Sequence, residues 1–408
     1  MNTKISTIRS QFSALVSHPE IIYFDNAATT QKPQSVLDAV MRYHHHFCAN
    51  PHRAQHDWAT QSTQEVEKVR EQVARFIGAE ILIDGQENKG KKHAGKIFFT
   101  SGATHASELL AEAFLSRILA EKSTIICGSQ DHDSLSKRWN SVAQKFHNEC
   151  TFRKIPVNQE GFYSLESINN ISDTIRENDS FQAGTVEQKS GSLNTIALLT
   201  HVHNVFGIEM GIKEARESIP KHIPIILDAS QSVGHMPVSI SELGVDALYF
   251  SGHKMFSFTG VGVLWVSDRY VDFFQEKNIE AGTLNVEGII SLGAAISFIE
   301  SVGIPHIESQ LLELTQYCIQ KLRSIPDIEF LPGPAFCRCA SGHGIVSFRK
   351  EGVSSAEVSD WLNTHHIFTR SGNHCAATSL TEDSVRISMH LYNTKDEIDS
   401  MCAVLREI

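Results

Sequence analysis

Val36, Leu37, Val40 and Met41 recur at three- and four-residue intervals, as do Val66, Val69, Val73, Phe76 and Ile77, so the spacing predicts helices over residues 34–47 and 59–77. Beyond residue 95 the pattern changes. Short runs rich in β-branched and aromatic residues, "KIFFT" (96–100), "TIIC" (124–127), "IALLT" (196–200), "IPIIL" (223–227), "ALYF" (247–250) and "VGVLWV" (261–266), alternate with helical or polar stretches. Near-continuous apolar runs of this length predict a mostly parallel sheet covered by helices. Two long apolar helices, "VEGIISLGAAISFIESV" and "IPHIESQLLELTQYCIQKLRSI", then lead into a second set of short strands, "IVSF", "HIFT" and "VRISM", and a last helix near 394–406.

The expected class is therefore α/β. A large, mostly parallel sheet domain over 21–288 is followed by a smaller α+β C-terminal domain over 289–408, joined by the N-terminal segment 1–20. The polar stretches 84–96 and 176–194 carry no periodic apolar residues and are expected to be surface loops. No internal repeat is visible.

Composition narrows the function classes. The chain has 408 residues, 41% of them apolar, which is enough for a substantial core and an enzyme-sized protein. Against 36 basic residues stand 47 acidic ones, a formal charge of −11, and the longest basic block is "KGKK" at 89–92. Nucleic acid is excluded as an expected partner, because its electrostatic footprint is missing. No apolar run is long enough to span a bilayer, and the first twenty residues lack the apolar core of a signal peptide, so a cytoplasmic protein without membrane contact is expected. Eight scattered cysteines read as reduced thiols. Consecutive His44, His45 and His46 splay around a helix axis and cannot converge on one ion, so no metal is expected; Cys337 and Cys339 read as an incidental pair.

Chemistry collects where ligands of open α/β sheets bind, just past the carboxyl ends of the strands. "KIFFT" runs into Ser101, Gly102, Ala103 and Thr104 at a helix start, which suits an anion. "TIIC" leads to Asp131 and His132, "IALLT" to "HVHN" with Asn204, "IPIIL" to Asp228 with Gln231 nearby, and "ALYF" to Ser251, His253 and Lys254. Singly, each has an ordinary explanation as a cap or turn residue. Together, an amine, a carboxylate, an imidazole and an anion cradle are the fittings for pyridoxal 5'-phosphate, whose aldehyde condenses with a lysine. On this reading Lys254 sits among apolar residues because it is covalently used.

The stretches "YFDNAATTQKP" (23–33), "PHRAQH" (51–56), "SGAT" (101–104), "THVHNVFG" (200–207), "LDASQSVGHMPV" (227–238), "FSGHKMFSFTGVGVLWV" (250–266), "EAGTLN" (280–285), "RSGNHCA" (370–376) and "VRISMHLYNTKDEID" (385–399) resemble, in order, the cysteine desulfurases of the class V aminotransferase superfamily, and the short Arg-to-Cys spacing resembles their group II. The resemblance implies fold type I of the pyridoxal phosphate enzymes and a homodimer. It implies Lys254 as the cofactor lysine, Asp228 at the pyridine nitrogen, His132 against the ring and Gln231 at the ring hydroxyl. Ala103, Thr104, Ser251 and His253 would hold the phosphate, with Thr283 reaching in from a second subunit. Asn204 and Arg386, with Arg370 and Ala28 nearby, would receive the substrate.

Cys375 is implied as the nucleophile that takes sulfur from L-cysteine as a persulfide, leaving L-alanine, with Arg370, His374 or His132 favouring its thiolate. A sulfur-acceptor protein would then unload it. Selenocysteine lyase, or another class V β-lyase or aminotransferase, is the alternative activity. The sequence departs from the family pattern at His105, Asp133, Leu284 and Asn373, and residues 267–279 lack a glycine-rich hairpin that walls the site in group II enzymes.

Overall fold

The computed structural model describes residues 7–81, 94–146, 149–158, 160–182, 193–275, 279–332, 342–376 and 383–408. In chain order, strand β1 (Ile22–Tyr23) precedes helices α1 (Gln34–His46) and α2 (Asp57–Phe76). Then come β2 (Glu80–Ile81), β3 (Ala94–Thr100), α3 (Ala103–Ala113), β4 (Leu119–Gly128), α4 (Asp133–Lys145), β5 (Glu149–Ile155), α5 (Leu165–Gln182) and β6 (Leu193–Thr200). The large sheet is completed by β7 (Ile225–Asp228), β8 (Ala247–Ser251) and β9 (Gly262–Ser267), after which follow α6 (Asp268–Gln275), α7 (Val286–Val302) and α8 (Ile304–Leu322). Among the remaining elements are β10 (Ile328–Leu331), β11 (Ile345–Lys350), β12 (Ile367–Phe368), β13 (Arg370–Gly372), β14 (Ser384–Ser388) and α9 (Lys395–Leu405).

Eight strands pair in the order β2-β3-β9-β8-β7-β6-β4-β5. Only β9 runs against its neighbours, so the sheet is mostly parallel, as the apolar runs predict. Both of its faces are covered: Leu199, Leu227, Phe250 and Trp265 point into one buried cluster, and Leu198, Ile226, Tyr249 and Leu264 into another. That alternation follows from the period-two geometry of a strand. The carboxyl ends of β6, β7 and β8 therefore open side by side on one edge.

A second, antiparallel sheet has the order β10-β11-β14-β13 and its own apolar cluster with α8 and α9, among them Leu314, Phe348, Ile387 and Met401. "HIFT" does not join it. Its two strand residues pair in parallel with Ile22 and Tyr23, a ladder that ties the start of the chain to its last quarter. α7 is buried almost all round, with eleven buried residues, and packs on α1 and α2. It thus shares a core with the large sheet, on both sides of residue 288.

Two loop expectations change. The stretch 176–194 opens as helix, because α5 continues to Gln182, and it closes as strand from Leu193; residues 183–192 lie outside the described ones. In the stretch 84–96 the last three residues already belong to β3, and the rest falls outside the described residues, as do Cys337 and Cys339. Residues 268–275 form α6, packed on β3 and β9. His44 reaches Glu287 at 3.3 Å. Among the described residues no single helix is long and apolar enough to cross a membrane.

Candidate active site

A cleft of about 220 Å³ opens at the carboxyl edge of the large sheet, between it and the antiparallel sheet. It is lined by Ala28, Ala103, Thr104, His132, Asn204, Asp228, Gln231, Ser251, His253, Lys254, Arg370, Cys375 and Arg386. Of the residues to which the resemblance gives a part in the site, one does not line the cleft. Thr283 stands apart, near Asn50, whose Nδ2 donates to its hydroxyl at 3.3 Å.

Each side chain arrives for a local reason. Lys254 ends a single 3₁₀ turn, Gly252–Lys254, directly after β8. Burial pulls its amine down to about 8, with Asp228 partly opposing the shift. Asp228 ends β7, and its Oδ1 accepts Ser230 N at 2.9 Å. The Ser251 hydroxyl accepts Ala103 N, the first residue of α3, at 2.9 Å. A Cβ on Gly262 would meet Gly102 Cα at 2.6 Å, so only glycine lets β9 pass so close to this helix start. Gln231 Nε2 donates to Ala27 O at 2.9 Å, which places the "NAATT" segment on the cleft rim.

His132 caps α4 by accepting Ser134 N on Nδ1 at 3.2 Å. Burial first, and then Lys254, lower its pKa. The neighbouring Asp131 is fully buried, and burial raises its carboxyl to about 6 even though Tyr163 donates to both oxygens at 2.9 Å.

The far wall comes from the antiparallel sheet. Arg386, on β14, donates to Asn204 O at 3.1 Å and to Asp25 Oδ1 at 3.3 Å. Asn204 Nδ2 in turn donates to His374 O at 2.9 Å. Arg370 Nη2 lies 3.8 Å from Cys375 Sγ. His374 and Cys375 both take left-handed backbone angles, φ 52° and 58°, which few residues other than glycine adopt. The conformation is held from three sides: Cys375 N donates to Asn373 Oδ1 at 3.1 Å, Asp133 N to Cys375 O at 2.9 Å, and Ala376 N to Asn373 O at 3.0 Å.

One expectation is corrected here. His374 cannot lend positive charge to the thiol, because burial and two arginines drive its pKa to about 3, and its Nε2 faces Ser384 O and Oγ at 3.2 and 3.0 Å. His132 is also shifted toward its neutral form, so the positive charge near Cys375 comes from Arg370, 3.8 Å from the sulfur, with Arg386 and Lys254 further contributors. Asp25 was not foreseen as part of the site. It lies within the quoted "YFDNAATT" motif, yet nothing in its spacing foretells a partner 361 residues away.

Five buried polar atoms of cleft-lining residues, Thr200 Oγ1, Asn204 Oδ1, Ser230 Oγ, His374 Nδ1 and Arg386 Nε, find no hydrogen-bond partner among the described residues. Such groups suit a polar ligand. A low-pKa amine facing a carboxylate, a helix start able to take an anion, a guanidinium able to take a carboxylate and a thiol beside a cation together permit amine condensation and sulfur attack in one cleft.

The class-V aminotransferase model matches residues 22–401. A protein of Halalkalibacterium halodurans named "Probable cysteine desulfurase" is 30% identical over 419 residues, covering 96% of this chain and 94% of its own length. One of the same name from Borreliella burgdorferi is 28% identical over 442 residues, covering 99% and 96%. Among solved structures, the apo cysteine desulfurase of Thermococcus onnurineus superposes with a TM-score of 0.81 at 27% identity, over 98% of this chain and 97% of that one.

Proposed function

We propose an activity from the premise that this chain belongs to the class-V aminotransferase family: it is a pyridoxal 5'-phosphate-dependent cysteine desulfurase that converts L-cysteine to L-alanine. The observation that carries the reading is the pair Arg370 and Cys375, 3.8 Å apart, on the wall of the cleft that holds Lys254 and Asp228. Amine and carboxylate alone would serve many activities of this family. A thiol beside a guanidinium adds a sulfur nucleophile, and the names of the relatives support the same reading.

The residues present fit the cofactor. The start of α3 with Ala103 and Thr104, together with Ser251 and His253, would hold the phosphate; Asp228 would face the pyridine nitrogen, Gln231 the ring hydroxyl and His132 the ring face. Lys254 has an amine that is neutral in part at physiological pH, as condensation with an aldehyde requires. When bound, the cofactor supplies an electron sink next to the substrate Cα.

The chain's own groups do the rest. Arg386 holds the substrate carboxylate, donating through its unpaired Nε, and Asn204 beside it offers its unpaired Oδ1 as an acceptor for an N–H of the bound group. Lys254, once its amine is free, takes the Cα proton. Cys375, as thiolate, forms an S–S bond to the substrate sulfur while the substrate C–S bond breaks and leaves its electron pair on carbon. Protonation of that carbon gives the methyl group of alanine. Arg370 favours the thiolate by charge. Cys375 is only part-buried, so a persulfide there is within reach of an acceptor protein.

A homodimer completes the proposal, with Thr283 of each chain serving the phosphate of the other, since its own cleft lies elsewhere. Incubating the yellow protein with L-cysteine, L-selenocysteine and other amino acids, and assaying alanine, sulfide, selenide and protein-bound persulfide, tests the activity. Alanine and persulfide from L-cysteine are expected; products without persulfide would refute it.

A further inference from the structure

Four donors converge on the peptide oxygen that precedes Lys254. The His253 carbonyl accepts from Thr30 N at 3.0 Å, Thr30 Oγ1 at 3.1 Å, Thr29 Oγ1 at 3.2 Å and Lys32 Nζ at 3.3 Å. A carbonyl oxygen has two lone pairs, so it is offered more donors than it needs. On the other side of Lys254, the Thr30 hydroxyl accepts Phe256 N at 2.8 Å, which directs its own proton to His253 O. One buried hydroxyl therefore bridges the chain before and after Lys254, across a residue, Phe256, held at φ 71°.

Lys32 is set into the same knot. Its amine touches backbone and hydroxyl oxygens, and no ion pair among the described residues involves it. Burial lowers its pKa to about 8, so placing it here is costly and no carboxylate offsets the cost. Its neighbours account for the position only through what they hold, the turn that carries Lys254.

We propose that Thr30 and Lys32 are positioning residues: they pin the Gly252–Lys254 turn from outside so that the Lys254 amine stays in the cleft beside Asp228. This rests on the reading of Lys254 as the cofactor amine, but the pinning itself is measurable without cofactor. The Lys254 amine is held low by burial, and a loosened turn admits water to it.

The experiment uses the full chain freed of cofactor with hydroxylamine. Trace acetic anhydride is applied between pH 6 and 11, and acetylation of the Lys254 peptide is followed by mass spectrometry. Wild type is expected to reach half-maximal labelling near the value of about 8, and Thr30→Val and Lys32→Met to move the midpoint up by a pH unit or more, toward the ordinary 10.5. Thr30→Ser, which keeps the hydroxyl, should restore the wild-type midpoint; mere loss of packing would not be rescued in this way. Should Thr30→Val fail to fold by circular dichroism, Lys32→Met decides. Unchanged midpoints in the variants that fold overturn the proposal. In parallel, pyridoxal phosphate and borohydride are added: a wild type that carries no pyridoxyl on Lys254 while the midpoints still shift would leave the pinning intact and remove the cofactor reading instead.

Discussion

Arg386 Nη2 stands 3.3 Å from Asp25 Oδ1, joining β14 to the segment just past β1 inside the cleft. The arginine is so deeply buried that its pKa falls to about 10, and Asp25 is the carboxylate that opposes this. Arg386→Lys keeps a charge but loses the planar fork. Under the proposed function it should raise KM for L-cysteine and lower kcat/KM by about ten- to a hundredfold, the equivalent of roughly 1.5–3 kcal/mol for hydrogen bonds to a charged group. Steady-state kinetics would show this, and an unchanged KM would remove Arg386 from substrate binding.

Cys375→Ala separates sulfur transfer from the other chemistry open to the cleft. The bound cofactor should keep its absorbance and still respond to L-cysteine, while protein-bound persulfide disappears and alanine formation falls to a trace. Wild-type turnover by this variant would defeat the persulfide route. Elimination from selenocysteine should partly survive, since selenium leaves more readily without thiolate attack.

Thr283→Ala should weaken cofactor retention modestly on dialysis, by the loss of one hydrogen bond to a charged group. Light scattering on the loaded protein checks the dimer from which this follows. A fully loaded and active monomer would contradict both.

Acid should destabilise the fold through buried histidines. His203, His235 and His343 have their pKa values lowered from 6.5 to about 4 in the folded state, in each case first by burial. Between those values the unfolded chain binds more protons, so stability rises with pH across that window and is lost as pH falls through it. Neither ring nitrogen of His343 has a hydrogen-bond partner among the described residues. Asp131, raised from 3.8 to about 6, acts in the opposite sense over much of the same range. Melting temperatures measured from pH 7 down to pH 4 should fall, and His343→Gln should make that fall shallower.

Tyr163→Phe removes the hydroxyl that donates to Asp131 and accepts Thr200 N at 2.9 Å. It leaves a buried carboxylate short of a donor, at a cost of about 1–3 kcal/mol. A melting temperature several degrees lower is expected, and an unchanged one would show that the contact is energetically idle.

The large sheet and the cleft at its edge were legible because each parallel strand is an apolar run that ends in a polar residue, and Asn204, Asp228, Ser251 and Lys254 mark those ends in order. What escaped had no local signature. β12 is a two-residue strand whose partner is β1, so no periodicity could assign it. Residues 176–182 are polar but for Phe181 and still continue a helix begun at Leu165, because a helix started upstream carries its polar end along. The neutrality of His374 is set by burial and by two arginines brought in by folding. A division at residue 288 would cut α7, whose apolar residues pack on α1 and α2 on both sides of it.

The ladder between Ile22–Tyr23 and Ile367–Phe368 also sets a schedule for the ribosome. Its two halves are about 345 residues apart, so at roughly 5–20 residues per second the first strand waits on the order of 20–70 seconds for its mate. Thr30, which grips the turn of Lys254, is made before that turn; Cys375 and Arg386 are made more than a hundred residues after it. The sheet can assemble as it emerges, but the cleft gains its thiol and its arginine only after every strand of that sheet has been made. An interrupted chain thus carries the amine without the nucleophile.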